Sequence, residues 1–246
     1  QTVALSWLVY RLTGSTLLLG TVGFASQIPI LLVAPLGGTM ADRHNRQRIV
    51  IGTQTASMVL AFLLAALTLT GKVQVSHILV LATLLGVANA FDVPARQAFL
   101  VDMVGREDLM NAIALNSTTF NGARIVGPAI AGILVALIGE GWCFFANAVS
   151  YIAVIVGLMM MQVRRPAQKP PSGSPLTHIL EGFRFVRHAR PIRAILLLLA
   201  LISLVAMPYT VLMPVFADRI LHGGARGLGI LMSATGVGAL LAALTL

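Results

Sequence analysis

Gly38-Thr39-Met40-Ala41-Asp42-Arg43-His44-Asn45-Arg46-Gln47-Arg48 separates two long apolar runs and holds one acid and three arginines within seven residues. A single Arg or Asp at the centre of a bilayer-spanning helix costs roughly 2.5–3.5 kcal/mol on insertion scales. A cluster of four therefore belongs in water at a membrane surface. The excess of arginine assigns it to the cytoplasmic side, where short loops collect Lys and Arg.

The composition around this stretch agrees. The chain is 57% hydrophobic and only 10% charged, with a mean hydropathy of +0.90. Soluble domains run at about 45–50% apolar and ~25% charged residues, so this is the composition of a membrane protein. The net charge of +9 does not point to nucleic acid. The basic residues sit in short loops between apolar runs, and no soluble domain presents them as one face. They read as topology signal and as contacts to membrane lipids. A single cysteine, Cys143, excludes an internal disulfide and a cysteine-rich metal site. The five histidines are scattered without an HxxxH pair. Neither a metal nor a cofactor is expected.

A membrane helix needs about 20 mainly apolar residues. Such runs cover roughly residues 17–41, 49–70, 75–97, 109–138, 142–163, 192–217 and 227–246, and a shorter one spans Val3 to Tyr10. That first run is too short to cross a bilayer, and the last stops with the sequence. The expectation is a fragment that begins inside one membrane helix and ends inside or just after another. Taking the loops after the second, fourth and sixth runs as cytoplasmic puts twelve Lys and Arg inside and four outside, with Arg124 within a helix. That bias orients the whole chain.

The longest polar stretch begins at Arg164 and is rich in proline: Pro166, Pro170, Pro171 and Pro175. It reads as a linker. Between Thr177 and His188, Ile179, Leu180, Phe183 and Val186 recur at helical spacing, which predicts a short amphipathic helix at the cytoplasmic interface. The expected organisation is therefore a membrane unit over 1–163, a cytoplasmic linker over 164–191, and the start of a second membrane unit over 192–246. A faint repeat supports it: Val9-Tyr10-Arg11-Leu12 before Leu19-Gly20 is similar to Val215-Phe216-Ala217-Asp218-Arg219 before Leu228-Gly229. Parallel repeats of this kind occur in transporters built from two halves.

Together, the runs, the linker and the charged turn resemble the major facilitator superfamily. The turn matches that family's Gly-x-x-x-Asp-Arg-x-Gly-Arg-Arg/Lys pattern at Gly38, Asp42, Arg43, Arg46 and Arg48. Asn45 replaces the usual glycine, and Asn tolerates the left-handed backbone such a turn can need. Gln47 stands where a basic residue is common. The resemblance implies a gating turn in which Asp42 meets the positive end of a helix from the other half. An ordinary cytoplasmic anchor turn is the alternative. A second match is the helix-five motif Gly-Pro-x-x-Gly-Gly of proton-exchanging exporters, carried here by Gly127, Pro128 and Gly132, with Ala131 at the other glycine position. Small residues permit close helix contact, and proline permits a bend. With 89–98 and 106–112, the likeness extends to the branch that holds the enterobactin exporter, macrolide-efflux proteins and transmembrane secretion effectors.

The resemblance implies an all-α membrane protein of the major facilitator fold: an N-terminal six-helix half plus the first helices of the C-terminal half, truncated at both ends. It also implies a multi-pass inner-membrane transporter that exports a small organic substrate, siderophore- or macrolide-like, in exchange for protons, as a monomer and not as an enzyme. A membrane-embedded enzyme would need an intramembrane His, Asp or Ser cluster. No GxSxG, HExxH or GxxxxGK[ST] motif is present in the sequence. A non-transporting scaffold or receptor is the other alternative.

Five residues carry the internal polar chemistry. Arg124 lies ~17–22 Å along its helix from the cytoplasmic start, and Ser117, Asn121 and Arg124 share one helical face. That face lines a central cavity, or else Arg124 bonds a neighbouring helix or a loop acid. Asp92, close to the cytoplasmic end of its apolar run, is a proton carrier or simply the i,i+4 partner of Arg96. Asp102, Glu107 and Asp108 are candidate partners for Arg43 or Arg46. Pro29, Pro35, Pro208 and Pro214 can kink helices that must rock.

Overall fold

The computed structural model describes residues 1–105, 107–161, 163, 184–206 and 208–245. Every element among them is helical, with no strand. In hydrocarbon each backbone N–H and C=O must be satisfied within its own segment, and a helix does this. Helix α1 covers Thr2–Thr13, α2 Thr16–Arg43, α3 Arg46–Leu69 and α4 Val75–Val104. Helix α5 runs Leu109–Met160 and is interrupted at Gly139 (φ 81°, ψ 168°), a conformation that glycine adopts without strain. The break divides α5 into two limbs, and each is long enough to cross a bilayer at 1.5 Å per residue. Beyond 183 come a helical turn at 184–188, α6 (Arg190–Ala206), α7 (Pro208–Val215), a π-helical turn (Phe216–Ile220) and α8 (Gly224–Thr245).

The apolar runs become helices, with three differences. Helix α4 continues past its apolar run to Val104, where Phe99 packs into the core and Asp102 pairs with Arg46 of α3. Arg96, assigned from sequence to a loop, therefore lies inside α4. Pro29 and Pro35 leave α2 assigned as one helix. Pro214, by contrast, lies in the last turn of α7, two residues before the wider π turn. The linker reading over 164–183, including most of the amphipathic helix, lies outside the described residues.

Helix α2 packs chiefly on α4, and α3 packs on α4 and on the second limb of α5. Lipid tails are as apolar as leucine, so close van der Waals contact between small residues holds such helices together. Two points fix α2 on α4. A β-carbon on Gly37 would overlap the Ala90 carbonyl, and one on Gly86 would overlap the Ser26 carbonyl. Leu8, Val9, Leu19, Val22, Ile78, Val135 and Phe144 fill the core at the outer end. A smaller cluster of Ala41, Val50, Ala95, Phe99 and Leu158 fills the cytoplasmic end.

Candidate functional site

The charged turn is tighter than its sequence suggests. Helix α2 runs through Arg43 and α3 begins at Arg46, which leaves only His44 and Asn45 between them. The expectation of a left-handed residue at Asn45 is corrected: its backbone is extended (φ −70°, ψ 108°), and its side chain caps α3 by accepting from the Arg48 amide at 3.2 Å. Asparagine serves here as an N-cap, the role for which it is favoured. Arg46 turns inward. Its guanidinium donates to Asp102 at 2.8 Å and to the carbonyls of Ala41 (3.1 Å) and Ala98 (3.3 Å), with Asp42 at 3.7 Å. Asp102 is thus the acid that meets Arg46 across α2, α3 and α4, whereas Glu107 and Asp108 are exposed and make no described ion pair. The Asp42 side chain stays half exposed. Gly38 faces open space, and its neighbour Gly37 carries the contact with α4.

Gln47 explains its own departure from the family pattern. Its amide donates to the carbonyls of Leu158 (2.6 Å) and Met161 (2.9 Å) at the end of α5. The last carbonyls of a helix lack partners within it, so a neutral donor does the job of a cation. Gln47→Leu is expected to lower stability by about 1–2 kcal/mol, the net worth of two such bonds. Gln47→Lys should retain most of it. Equal loss in both variants, measured by SDS denaturation, would argue against capping.

Asp92 is buried, 2% exposed, between α3 and α4. Its carboxylate accepts from Thr53 (2.7 Å), from Gln54 (2.9 Å) and from Arg96 on its own helix. Because α4 extends to Val104, Asp92 lies ~18 Å from that helix end. This corrects its expected place close to the cytoplasmic end. The i,i+4 pairing with Arg96 is present, and Arg96 keeps its guanidinium largely exposed. Thr53 and Gln54 were missed from sequence. Their only signal was the polar triplet Thr53-Gln54-Thr55 inside an apolar run.

The helix-five motif forms a seam with α8. A β-carbon on Gly132 would lie 2.7 Å from the Gly229 α-carbon, and one on Gly229 would lie 2.6 Å from the Pro128 carbonyl oxygen. Farther along, Gly236 meets the carbonyl of Arg124. Gly132 and Pro128 are therefore at the contact, while Gly127 has open space. Ser117 and Arg124 stand exposed and Asn121 is half buried. Arg124 makes no hydrogen bond or ion pair among the described residues, so neither a carbonyl nor a loop acid engages it there.

A second polar cluster closes the opposite end of the bundle. Arg11 donates to both oxygens of Glu140 (2.7 and 3.2 Å), and that carboxylate is 7% exposed beside the break at Gly139. Glu140 also escaped the sequence reading, although it is the lone acid between two apolar runs. Nearby, the Tyr10 hydroxyl donates to Asp218 at 3.2 Å. Arg219 donates to the Gly14 carbonyl at 2.9 Å and lies 5.9 Å from the Tyr10 ring centroid. Tyr10 and Asp218 are separated by 208 residues, and the backbone repeats at the same offset. Gly14 (φ 59°) and His222 (φ 51°) both take the left-handed conformation. Their amides bond back to Tyr10 and Asp218, respectively. α2 and α8 then begin at Thr16 and Gly224. His222 is unusual, since few non-glycine residues take positive φ.

No group of three or more His, Cys, Asp or Glu able to hold a metal occurs among the described residues. The chain is 30% identical over 247 residues to the staphyloferrin A transporter of Staphylococcus aureus, covering 99% of this chain and 62% of that protein. It is 30% identical over 256 residues to the multidrug efflux pump Tap of Mycolicibacterium fortuitum, covering 98% and 61%. Against the enterobactin exporter EntS of Escherichia coli it is 29% identical over 210 residues, covering 85% and 50%. The chain thus spans about half to three fifths of the length of these relatives. A family model described as transmembrane secretion effector matches residues 1–246. Four membrane-length helices, the Arg46–Asp102 turn and the α5–α8 glycine seam agree with that match, and the chain belongs to the transmembrane secretion effector family of the major facilitator superfamily.

Proposed function

We propose that the protein is a secondary transporter of the inner membrane that exports a small organic molecule by alternating access, in exchange for protons. Residues 1–163 form one half, 164–191 the connecting linker, and 192–246 the beginning of the second half. The observation that carries this reading is the 208-residue backbone repeat, whose equivalent residues Tyr10 and Asp218 meet face to face. Repeats related by an axis along the membrane normal are one architecture in which two halves rock about a site between them. The names of the relatives, a siderophore transporter, a siderophore exporter and a multidrug pump, point to the same class of cargo.

In this reading the outer contacts Tyr10–Asp218 and Arg219–Gly14 form an outer latch, and the α5–α8 seam is the pivot. Asp42, half exposed, is the carboxylate that latches the cytoplasmic side, with Gly38, Arg43, Arg46 and Arg48 shaping its turn. Ser117, Asn121 and Arg124 line the cavity. Asp92 with Arg96 is the proton-exchange or ion-pair site in this reading, its carboxylate buried between α3 and α4. Uptake into inverted vesicles under an imposed proton gradient, across siderophores and macrolides, tests the activity. No movement of any of them would sink the exporter reading.

The latch makes a separate prediction. Tyr10→Phe and Asp218→Asn each weaken one bond of about 0.5–1.5 kcal/mol, which raises the open population roughly two- to twelvefold. Amide exchange should quicken by that factor in segments 8–15 and 216–223 together. A rise in one segment alone would mean local fraying rather than a latch.

A further inference from the structure

We propose that the groove between α2 and α3 at the cytoplasmic surface is a binding site for an anionic phospholipid, with the phosphate held by Arg48 and His44. The groove has a volume of ≈ 500 Å³ and is lined by Met40, His44, Arg48, Gly52, Thr53 and Phe91, among others. It exists because α2 and α3 pack on α4 rather than on each other, so Phe91 of α4 forms its floor.

Its two ends differ chemically. At the mouth, Arg46 is committed inward to Asp102. Arg48, two residues on, is exposed, and its side chain makes no ion pair or hydrogen bond among the described residues. His44 stands beside it with one ring nitrogen 3.3 Å from the Met40 carbonyl, which leaves the other to face outward. No acid is among the lining residues. Toward the membrane the walls turn apolar. Gly52, Ala56, Val59 and Leu63 recur on one face of α3, and Met40, Leu36 and Leu32 on one face of α2, all exposed.

A cationic mouth at the headgroup level that opens into an apolar slot fits one class of ligand, an anionic head carrying an acyl chain. Inorganic phosphate would use the mouth and leave the slot empty. Each basic side chain near the surface favours an anionic over a neutral lipid by about fivefold.

The test is native mass spectrometry of the purified chain in micelles that contain phosphatidylglycerol and phosphatidylcholine in equal amounts. Phosphatidylglycerol adducts should exceed phosphatidylcholine adducts at least about fivefold. Arg48→Gln should bring the ratio close to one, and Arg48→Lys should keep most of it. Gly52→Leu fills the slot without a clash at its β-carbon, which would meet nothing within 4 Å. It should reduce phosphatidylglycerol retention several-fold while Arg48 is intact. Equal retention of the two lipids, or a ratio unchanged by Arg48→Gln, would overturn the proposal. So would displacement of the lipid by millimolar inorganic phosphate together with no effect of Gly52→Leu, since the ligand would then be free phosphate.

Discussion

Gly229→Leu is expected to force α8 away from α5 and, under the proposed function, to abolish transport. The β-carbon alone would sit 2.6 Å from the Pro128 carbonyl oxygen, 2.9 Å from the Gly132 α-carbon and 3.2 Å from the Gly132 nitrogen. All three are backbone atoms, so no rotamer change can relieve the overlap. Overpacking against movable side chains costs about 1–3 kcal/mol, and rigid backbone puts this case at the top of that range or above it. Two controls isolate the cause. A β-carbon on Gly227 meets its nearest neighbour, the Ala217 carbonyl, at an ordinary 3.8 Å, so Gly227→Ala should be tolerated. Gly127→Ala, in the motif itself, meets nothing within 4 Å. It should leave stability equal or raise it slightly, as helical Gly→Ala changes do. SDS denaturation midpoints and vesicle transport measure these effects. If Gly229→Leu behaves like Gly127→Ala, the seam is not a contact that transport depends on.

The second large effect belongs to the charged turn. Asp102→Ala is expected to destabilise the chain by about 3 kcal/mol, the low end for breaking a buried ion pair. The side chains of Arg46 and Asp102 are 13% and 8% exposed, so the guanidinium left behind would be poorly hydrated. Asp42, at 3.7 Å and half exposed, compensates in part, which keeps the loss from being larger. Arg46→Ala should cost a similar amount through the orphaned Asp102. Replacing both, Arg46→Met with Asp102→Leu, should be close to neutral, because the desolvation cost leaves with the charges. In the alanine cycle the double variant should be at least about 1 kcal/mol more stable than the sum of the singles. Strict additivity would mean the two residues do not act as a pair.

Much of this was legible before any coordinates. The helical class and the membrane spans follow from apolar runs and loop arginines, since bilayer thickness and the cost of buried charge are local constraints on sequence, and the family follows from the resemblance carried by the Gly38–Arg48 turn and the Gly127–Gly132 motif. Arg46 as an ion-pairing residue and Asp102 among its candidate acids were also within reach, because both flank the same surface. The i,i+4 pairing of Asp92 and Arg96 needs only one helix. Glu140 was not found, since its partner Arg11 lies 129 residues away. Thr53 and Gln54 look like ordinary polar interruptions until α4 brings Asp92 against them.

The same division holds for the glycines and for the turn. By itself the sequence determined that the Gly38 to Arg48 segment lies at a membrane surface, and that the flanking runs are helices. Those conclusions depend on how each segment partitions between water and lipid. Only the tertiary structure decided which glycine bears a contact. Gly37 rather than Gly38 meets α4, and Gly132 rather than Gly127 meets α8. A rotation of one residue turns a side chain by about 100° around the helix axis, and interhelical packing selects the rotation. It likewise decided that Arg46 points inward while Arg48 stays outside. The two arginines are chemically identical, and only the position of Asp102 on α4 separates them.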